Sequence, residues 1–157
     1  MTKIKDGTAL GAISGILATI PQLLFDYLSV TLGYSHYYAF QLSGSIYLLK
    51  KLTYMPVGLI LGGLVWESQA ILLGIITVYY LRATGTDFWW LKGLLVSNTL
   101  MYTVIYGFLF SLGGAKIVPF NIPTNFTVLI GNVIFGLALP YLIVHFGDAE
   151  LLKKRHE

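Results

Sequence analysis

Four apolar stretches, each long enough to cross a bilayer and almost free of charge, limit what this chain can fold into more than any other feature. They span about residues 7–32, 54–82, 88–112 and 125–146. A hydrocarbon core of ~30 Å needs roughly 20 consecutive apolar residues in a helix, and each stretch meets that length. No water inside hydrocarbon satisfies backbone N–H and C=O groups, so apolar stretches of this length predict helices. The expected fold is therefore all-α: a polytopic membrane helical bundle of four transmembrane helices, forming one integral membrane domain over residues 1–157. Composition agrees, with 56% hydrophobic and 11% charged residues, where about a quarter charged is ordinary for a soluble domain. The mean hydropathy is +0.75. This balance excludes a soluble enzyme, a disordered chain and a nucleic-acid binder. The absence of Cys removes disulfides, thiolate catalysis and Cys-based zinc or iron–sulfur sites together. The first stretch is too long for a cleavable signal and no small-residue cleavage site follows it, so it reads as a span.

Local signals mark the ends of these helices. Asp87 precedes Phe88 as a cap for the third, Pro56 suits the first turn of the second, and Thr124 is an N-cap for the fourth. Gly113-Gly114 and Gly147 end the third and fourth. Residues 34–51 contain His36, Gln41, Ser43 and Ser45, too polar for a good span. Tyr37, Phe40, Gly44 and Tyr47 nevertheless recur at helical spacing, so this segment reads as an interfacial or re-entrant helix on the outer face, with a fifth span as the alternative. Of ten Lys and Arg residues, Lys3, Lys5, Arg82, Lys92, Lys153, Lys154 and Arg155 fall on one side. Lys50, Lys51 and Lys116 fall on the other. Basic residues favour the cytoplasm, so both termini, with a tail over 147–157, are expected inside a multi-pass protein of the cell (inner) membrane.

Lipid tails supply no hydrophobic drive between helices, so small residues and interhelical hydrogen bonds must hold the bundle. Gly7, Gly11 and Gly15 form a small-residue run on the first span, continued by Ala18, Gln22 and Asp26. The second span carries Gly63, Glu67, Ala70, Gly74 and Thr77 at helical spacing, with Gly58 and Gly62 as another close-approach pair. The fourth carries Asn132, Gly136 and Pro140. Pro21 and Pro140 free the carbonyls of Leu17 and Gly136, so Pro21, Gly136 and Pro140 are hinge candidates.

Asp26 and Glu67 are the only acidic residues inside the expected spans, and no Lys or Arg lies within a span interior to neutralise them, Arg82 and Lys92 standing at span ends. A charge at the bilayer centre costs at least ~2.5–3.5 kcal/mol on insertion scales, so such residues mark functional sites by default. Glu67 and Asp26, with Asn98, Asn132 and Gln22, form the candidate set for binding an ion or proton. The bland alternative is a protonated carboxyl bonded to one of those amides or to a carbonyl freed by proline. No HExxH, GxSxG, Walker or Rossmann pattern is present. Neither enzymatic activity, a metal nor a cofactor is expected. His36 reads as an interface anchor among tyrosines, and His145 as a partner for a helix C-terminus.

The glycine-striped first span, the Leu91-Lys92-Gly93 start of the third, the Val118-Pro119 to Pro123 loop and the Gly131/Gly136 fourth span together resemble the small four-span bacterial membrane proteins of the YagU and YqhR type. That resemblance implies architecture and carries no functional residue. Two functions fit the residues. One is a transport or permeation component for a cation, a proton or a small solute. The other is a non-catalytic subunit or scaffold of a larger membrane assembly. The expected partners are membrane lipids and either further copies of the chain or a membrane-complex partner.

Overall fold

A computed structural model describes residues 3–117, 119 and 121–153. Lys154, Arg155 and His156 of the expected tail, and Val118 of the expected outer loop, lie outside these residues. Helix α1 spans Gly7–Thr31, α2 Ala39–Gly44, a 3-10 helix Lys50–Tyr54 and α3 Pro56–Thr84. Then follow α4 Trp89–Val96, a π-helix Ser97–Gly114, α5 Ile122–Phe146 and a short α6 Ala149–Leu152. Among the described residues, three helices are long and apolar enough to cross a membrane: α1, α3 and α5.

The expectation of four continuous spanning helices is thereby narrowed to three. Residues 88–112 divide between α4 and the π-helix instead of forming one α-helix. The Thr103 hydroxyl donates to Asn98 O, five residues back, at 3.0 Å, matching the i→i−5 spacing of a π-helix. Gly113, at φ 95°, breaks the helix just before its end; a residue with a Cβ rarely adopts that angle. Two caps also differ from expectation. Phe88, not Asp87, precedes α4, in a left-handed conformation without a side-chain cap. Asn121 caps α5 by accepting the N–H of Thr124 at 2.9 Å, so Thr124 is the capped residue, not the cap.

The two ends of the described chain meet. Ile4 N–H donates to Phe146 O at 2.9 Å and Asp148 N–H to Ile4 O at 3.1 Å, while Lys3 Nζ donates to His145 O. The 85–88 turn lies at this same end, where Lys92 Nζ closes α3 by donating to Thr84 O at 3.1 Å and Gly85 O at 2.7 Å. Residues 34–54 occupy the opposite end.

Backbone-close contacts join the helices. A Cβ on Gly11 would lie 2.6 Å from Ile75 Cα, and one on Gly15 would strike the carbonyl of Ala70. Gly74 faces the Gly11 carbonyl in return, so α1 and α3 touch through their backbones. Gly7 has ordinary room, 3.5 Å from Val78 Cγ1. Gly93 and Gly136 bring α4 against α5, with the Gly136 position 2.8 Å from Ser97 Cβ. Gly58 and Gly62 serve a different neighbour from the one their spacing suggests. They lie under the carbonyls of Leu52 and Phe40, so the 39–54 segment, not another long helix, covers that face of α3. Gly63 meets nothing within 4 Å and is not a packing glycine within this chain. Both α1 and α5 run uninterrupted through Pro21 and Pro140.

The main apolar core fills the half nearest the termini, around Leu10, Leu73, Leu81, Phe135, Leu139 and Ile143. A smaller cluster of Leu42, Ala115 and Ile117 closes the other end, where Lys116 N–H donates to Ser45 O at 2.9 Å.

Candidate functional site

Residues four apart lie on one helix face. On α1, that rule puts Ser14, Ala18, Gln22 and Asp26 in one line, and all four are buried. Gln22 and Asp26 are each only 7% exposed, and Asn132 on the facing α5 is 3% exposed. These three side chains meet at a cavity of about 30 Å³. About 10–15 Å³ of such volume accommodates one water, so the space suits one or two small occupants. Ala39, Leu42 and Ser43 of α2 form its roof, and Phe25, Trp66, Met101 and Val128 its apolar walls. A void of about 10 Å³ shares Gln22, Trp66, Met101 and Asn132 and extends to Ala70, Leu73 and Phe135. Beyond it stands the apolar core.

The hydrogen bonds around the cavity show which polar atoms are already engaged. Asp26 Oδ2 accepts the Ala39 N–H at 2.8 Å, tying the first residue of α2 to α1. Asn132 Nδ2 donates to Val128 O at 2.8 Å. Only a nitrogen can donate to that carbonyl, so the amide orientation is settled by chemistry. Its Oδ1 is buried and has no partner. The Tyr106 hydroxyl pairs with Asn125 Oδ1 at 2.8 Å, and the Thr127 hydroxyl donates to Pro123 O at 3.0 Å. The carbonyl of Asn132 accepts the Ser97 hydroxyl at 2.7 Å. Ser43 Oγ lies 3.4 Å from Gln69 Oε1. No Lys or Arg lines the cavity among the described residues, so the Asp26 carboxyl stands there without a compensating cation.

The other two candidates lie elsewhere. Glu67 is half-buried on α3 and does not line the cavity. Its Oε1 lies 3.0 Å from Thr19 Oγ1, while its Oε2 is buried without a partner. Thr19 Oγ1 is also 2.6 Å from Ile16 O. One hydroxyl has one proton, so both contacts are hydrogen bonds together only when the carboxyl supplies a proton of its own. Asn98 Nδ2 donates to Leu94 O at 3.0 Å and its Oδ1 is buried without a partner, away from the cavity. Gln22, Asp26 and Asn132 are thus brought together, and Glu67 and Asn98 are not. Sequence reasoning did not include Ser43, Trp66, Tyr106 and Thr127 among the site residues. The polar run Gln41-Leu42-Ser43 was the one available signal, because an exposed interfacial helix has no need of a buried serine. No group of three or more His, Cys, Asp or Glu is placed to hold a metal among the described residues.

No known protein family, curated protein or solved structure matches this chain.

Proposed function

We propose that the chain is a small multi-pass membrane protein that takes up a cation, a proton or another small solute at the Gln22–Asp26–Asn132 cavity, as a transport or permeation component. In this reading α4 and the π-helix together make a fourth span, and residues 34–54 re-enter the bilayer from the outer face. Both termini are cytoplasmic, the membrane is the inner one, and lipids surround the bundle. The observation that carries the proposal is the meeting of a carboxyl and two amides from facing helices at a cavity that no Lys or Arg among the described residues lines. Ionisable groups in membrane spans are costly and concentrate on ion and proton pathways. The test is flux in proteoliposomes. Wild-type protein should pass a cation, protons or a small solute, and Asp26→Asn should abolish that flux while preserving the fold, since the amide oxygen can still accept the Ala39 N–H. Absence of flux for every ion and solute tested would overturn the proposal.

A second reading, a non-catalytic subunit or scaffold, draws on a different feature. Gly63 faces open space and the half-buried Glu67 lies one turn along the same face of α3. That strip suits a helix from a second copy or a membrane-complex partner. Native mass spectrometry of membranes carrying wild-type or Gly63→Leu protein separates the readings, since only a scaffold strip loses its partner in the variant.

A further inference from the structure

We propose that a cleft at the termini end binds one phospholipid with an ethanolamine headgroup, its phosphate held by Lys5, Arg82 and Lys153 and its ammonium by Asp148 and Glu150. The proposal is independent of the permeation reading, since it needs the chain in a bilayer and no flux through it.

Its basis is how the cations at this end are engaged. Lys3 Nζ donates to His145 O, and Lys92 Nζ to Thr84 O and Gly85 O, so both close helix ends. The side chains of Lys5, Arg82 and Lys153 make no hydrogen bond or ion pair among the described residues. These three line one cavity of about 280 Å³ together with Asp148, Glu150 and Leu151. The Arg82 guanidinium stands over the Tyr79 ring, 5.4 Å from its centroid. A guanidinium stacked in this way keeps its N–H edge free for a phosphate, which it can bind through two hydrogen bonds. Basic pockets between spanning helices at a membrane face bind phospholipid headgroups.

The surroundings put the cavity at headgroup depth. A Cβ on Gly7, the first residue of α1, would lie 3.8 Å from Arg82 Nη1 and 3.7 Å from Leu151 Cδ1. The guanidinium is thus level with the first turn of α1, where the apolar span begins. Tyr79, almost a turn deeper, is exposed, and its hydroxyl lies 3.4 Å from Thr8 Oγ1. Exposed tyrosines mark the boundary between water and lipid. Leu72 on the same face of α3, and Ile16 two turns beyond Thr8 on α1, are exposed as well. They give acyl chains an apolar strip beside the cleft, which favours a lipid over a free phosphate compound.

The two carboxylates select the headgroup. An anionic headgroup would meet Asp148 and Glu150 along with the three cations, whereas a zwitterion matches both signs. Asp148 Oδ1 accepts the Glu150 N–H at 2.9 Å, and its other oxygen is left for a ligand. An ethanolamine ammonium has three N–H donors, as a Lys ammonium has, and carboxylates accept them. Quaternary choline has none. At about 280 Å³, near the lower limit of ordinary ligand pockets, the cavity takes a headgroup and leaves the chains outside.

The test uses the full-length protein in detergent micelles doped with phosphatidylethanolamine, phosphatidylcholine or phosphatidylglycerol of identical acyl chains. Thermal unfolding is followed by tryptophan fluorescence, and retained lipids are counted by native mass spectrometry. Phosphatidylethanolamine should raise the unfolding midpoint saturably and at lower concentration than the other two. Arg82→Gln should weaken that response by about 10-fold or more, the usual effect of removing one charged partner. Lys153→Gln, at an exposed position, repeats the test without disturbing a helix. Glu150→Gln should lower the ethanolamine response to the choline one, and Lys116→Gln, at the opposite end, should leave it unchanged. A midpoint that ignores all three lipids, or a response that Arg82→Gln and Lys153→Gln both retain, overturns the site. Phosphatidylglycerol acting as well as phosphatidylethanolamine overturns the role of the carboxylates. Soluble glycerophosphoethanolamine acting as well as the lipid overturns the lipid assignment.

Discussion

Two glycines on α3, eleven residues apart, should respond to the same substitution in opposite directions. At Gly74 a new Cβ would strike the Gly11 carbonyl oxygen and lie 2.9 Å from Gly11 C and 3.2 Å from Gly15 Cα. Carbon pairs prefer ~3.5–4.0 Å, so α1 and α3 must part by something like 0.5–1 Å to admit the methyl. Both obstacles are backbone, and no side chain can rotate out of the way. Overpacking of this kind costs about 1–3 kcal/mol, with the upper half expected where backbone must move. At Gly63 nothing lies within 4 Å, so a methyl there meets no clash. Each Gly→Ala change also gains about 0.8–1.0 kcal/mol of helix propensity. Gly74→Ala should therefore lose about 1–2 kcal/mol net, and Gly63→Ala should be neutral or gain up to about 1 kcal/mol. The propensity gain is common to both, so the difference between them isolates the clash. Equilibrium unfolding in mixed micelles, read by Trp66 and the other tryptophans, measures each value. A Gly74→Ala variant as stable as wild type or more so would refute the assigned α1–α3 contact. A loss at Gly63 equal to that at Gly74 would mean that a second copy or partner covers Gly63.

Two further outcomes follow from the same geometry. With cytoplasmic termini, Lys116→Cys should react with an impermeant thiol reagent added outside whole cells and Thr86→Cys should not, an assay made clean by the lack of native Cys; the reverse pattern overturns the orientation. Gly136→Ala should destabilise by up to about 2 kcal/mol net of the helix-propensity gain, because its Cβ would lie 2.8 Å from Ser97 Cβ and 3.1 Å from Gly93 O. An unchanged melting curve would show that Gly136 is a free hinge instead of a helix contact.

The interior face of α3 shows why some of the site was legible in the sequence and some was not. Stepping from Gly63 through Glu67 to Ala70 and Gly74 gives one helical stripe; stepping from Gly62 through Trp66 to Ala70 and Gly74 gives another. Both steps satisfy helical spacing, and both arrive at Ala70. The buried stripe is the second, through Gly58, Gly62, Trp66, Ala70 and Gly74. By sequence a polar residue at mid-span is the better inward candidate, but Trp66 lines the cavity and Glu67 turns toward Thr19. On α1 no such ambiguity arose, because Gly11, Gly15, Gln22 and Asp26 leave one small and polar face opposite Ile13, Ile16, Ile20 and Leu24, which are exposed. No proline or glycine at Ser97 or beside it marks the change from α-helix to π-helix in the sequence. Likewise the use of Gly58 and Gly62 depends on where residues 39–54 fold back, a tertiary fact that spacing within α3 does not contain.

Asp26 connects the roof of the cavity to its contents. The carboxyl that holds the Ala39 N–H is the group that an occupant of the proposed site would engage. The roof is held on its other side by Gly44, whose Cβ position lies 3.0 Å from Gly62 Cα. On the proposed reading, an occupant that draws charge from Asp26 would weaken the oxygen's hold on Ala39 while leaving the Gly44–Gly62 contact intact, so occupancy would bear on the α1 side of α2 and not on its α3 side. The opposite boundary of the cavity behaves differently. Leu10, Phe135 and Leu139 are at most 3% exposed, and their side chains offer no polar atom to an ion. Binding needs no movement of that layer, whereas passage to the termini end requires it to part. On the proposed permeation reading, binding and flux are therefore separable quantities. A substitution confined to the apolar layer, such as Phe135→Ala, should act on the second while leaving Gln22, Asp26 and Asn132 in place.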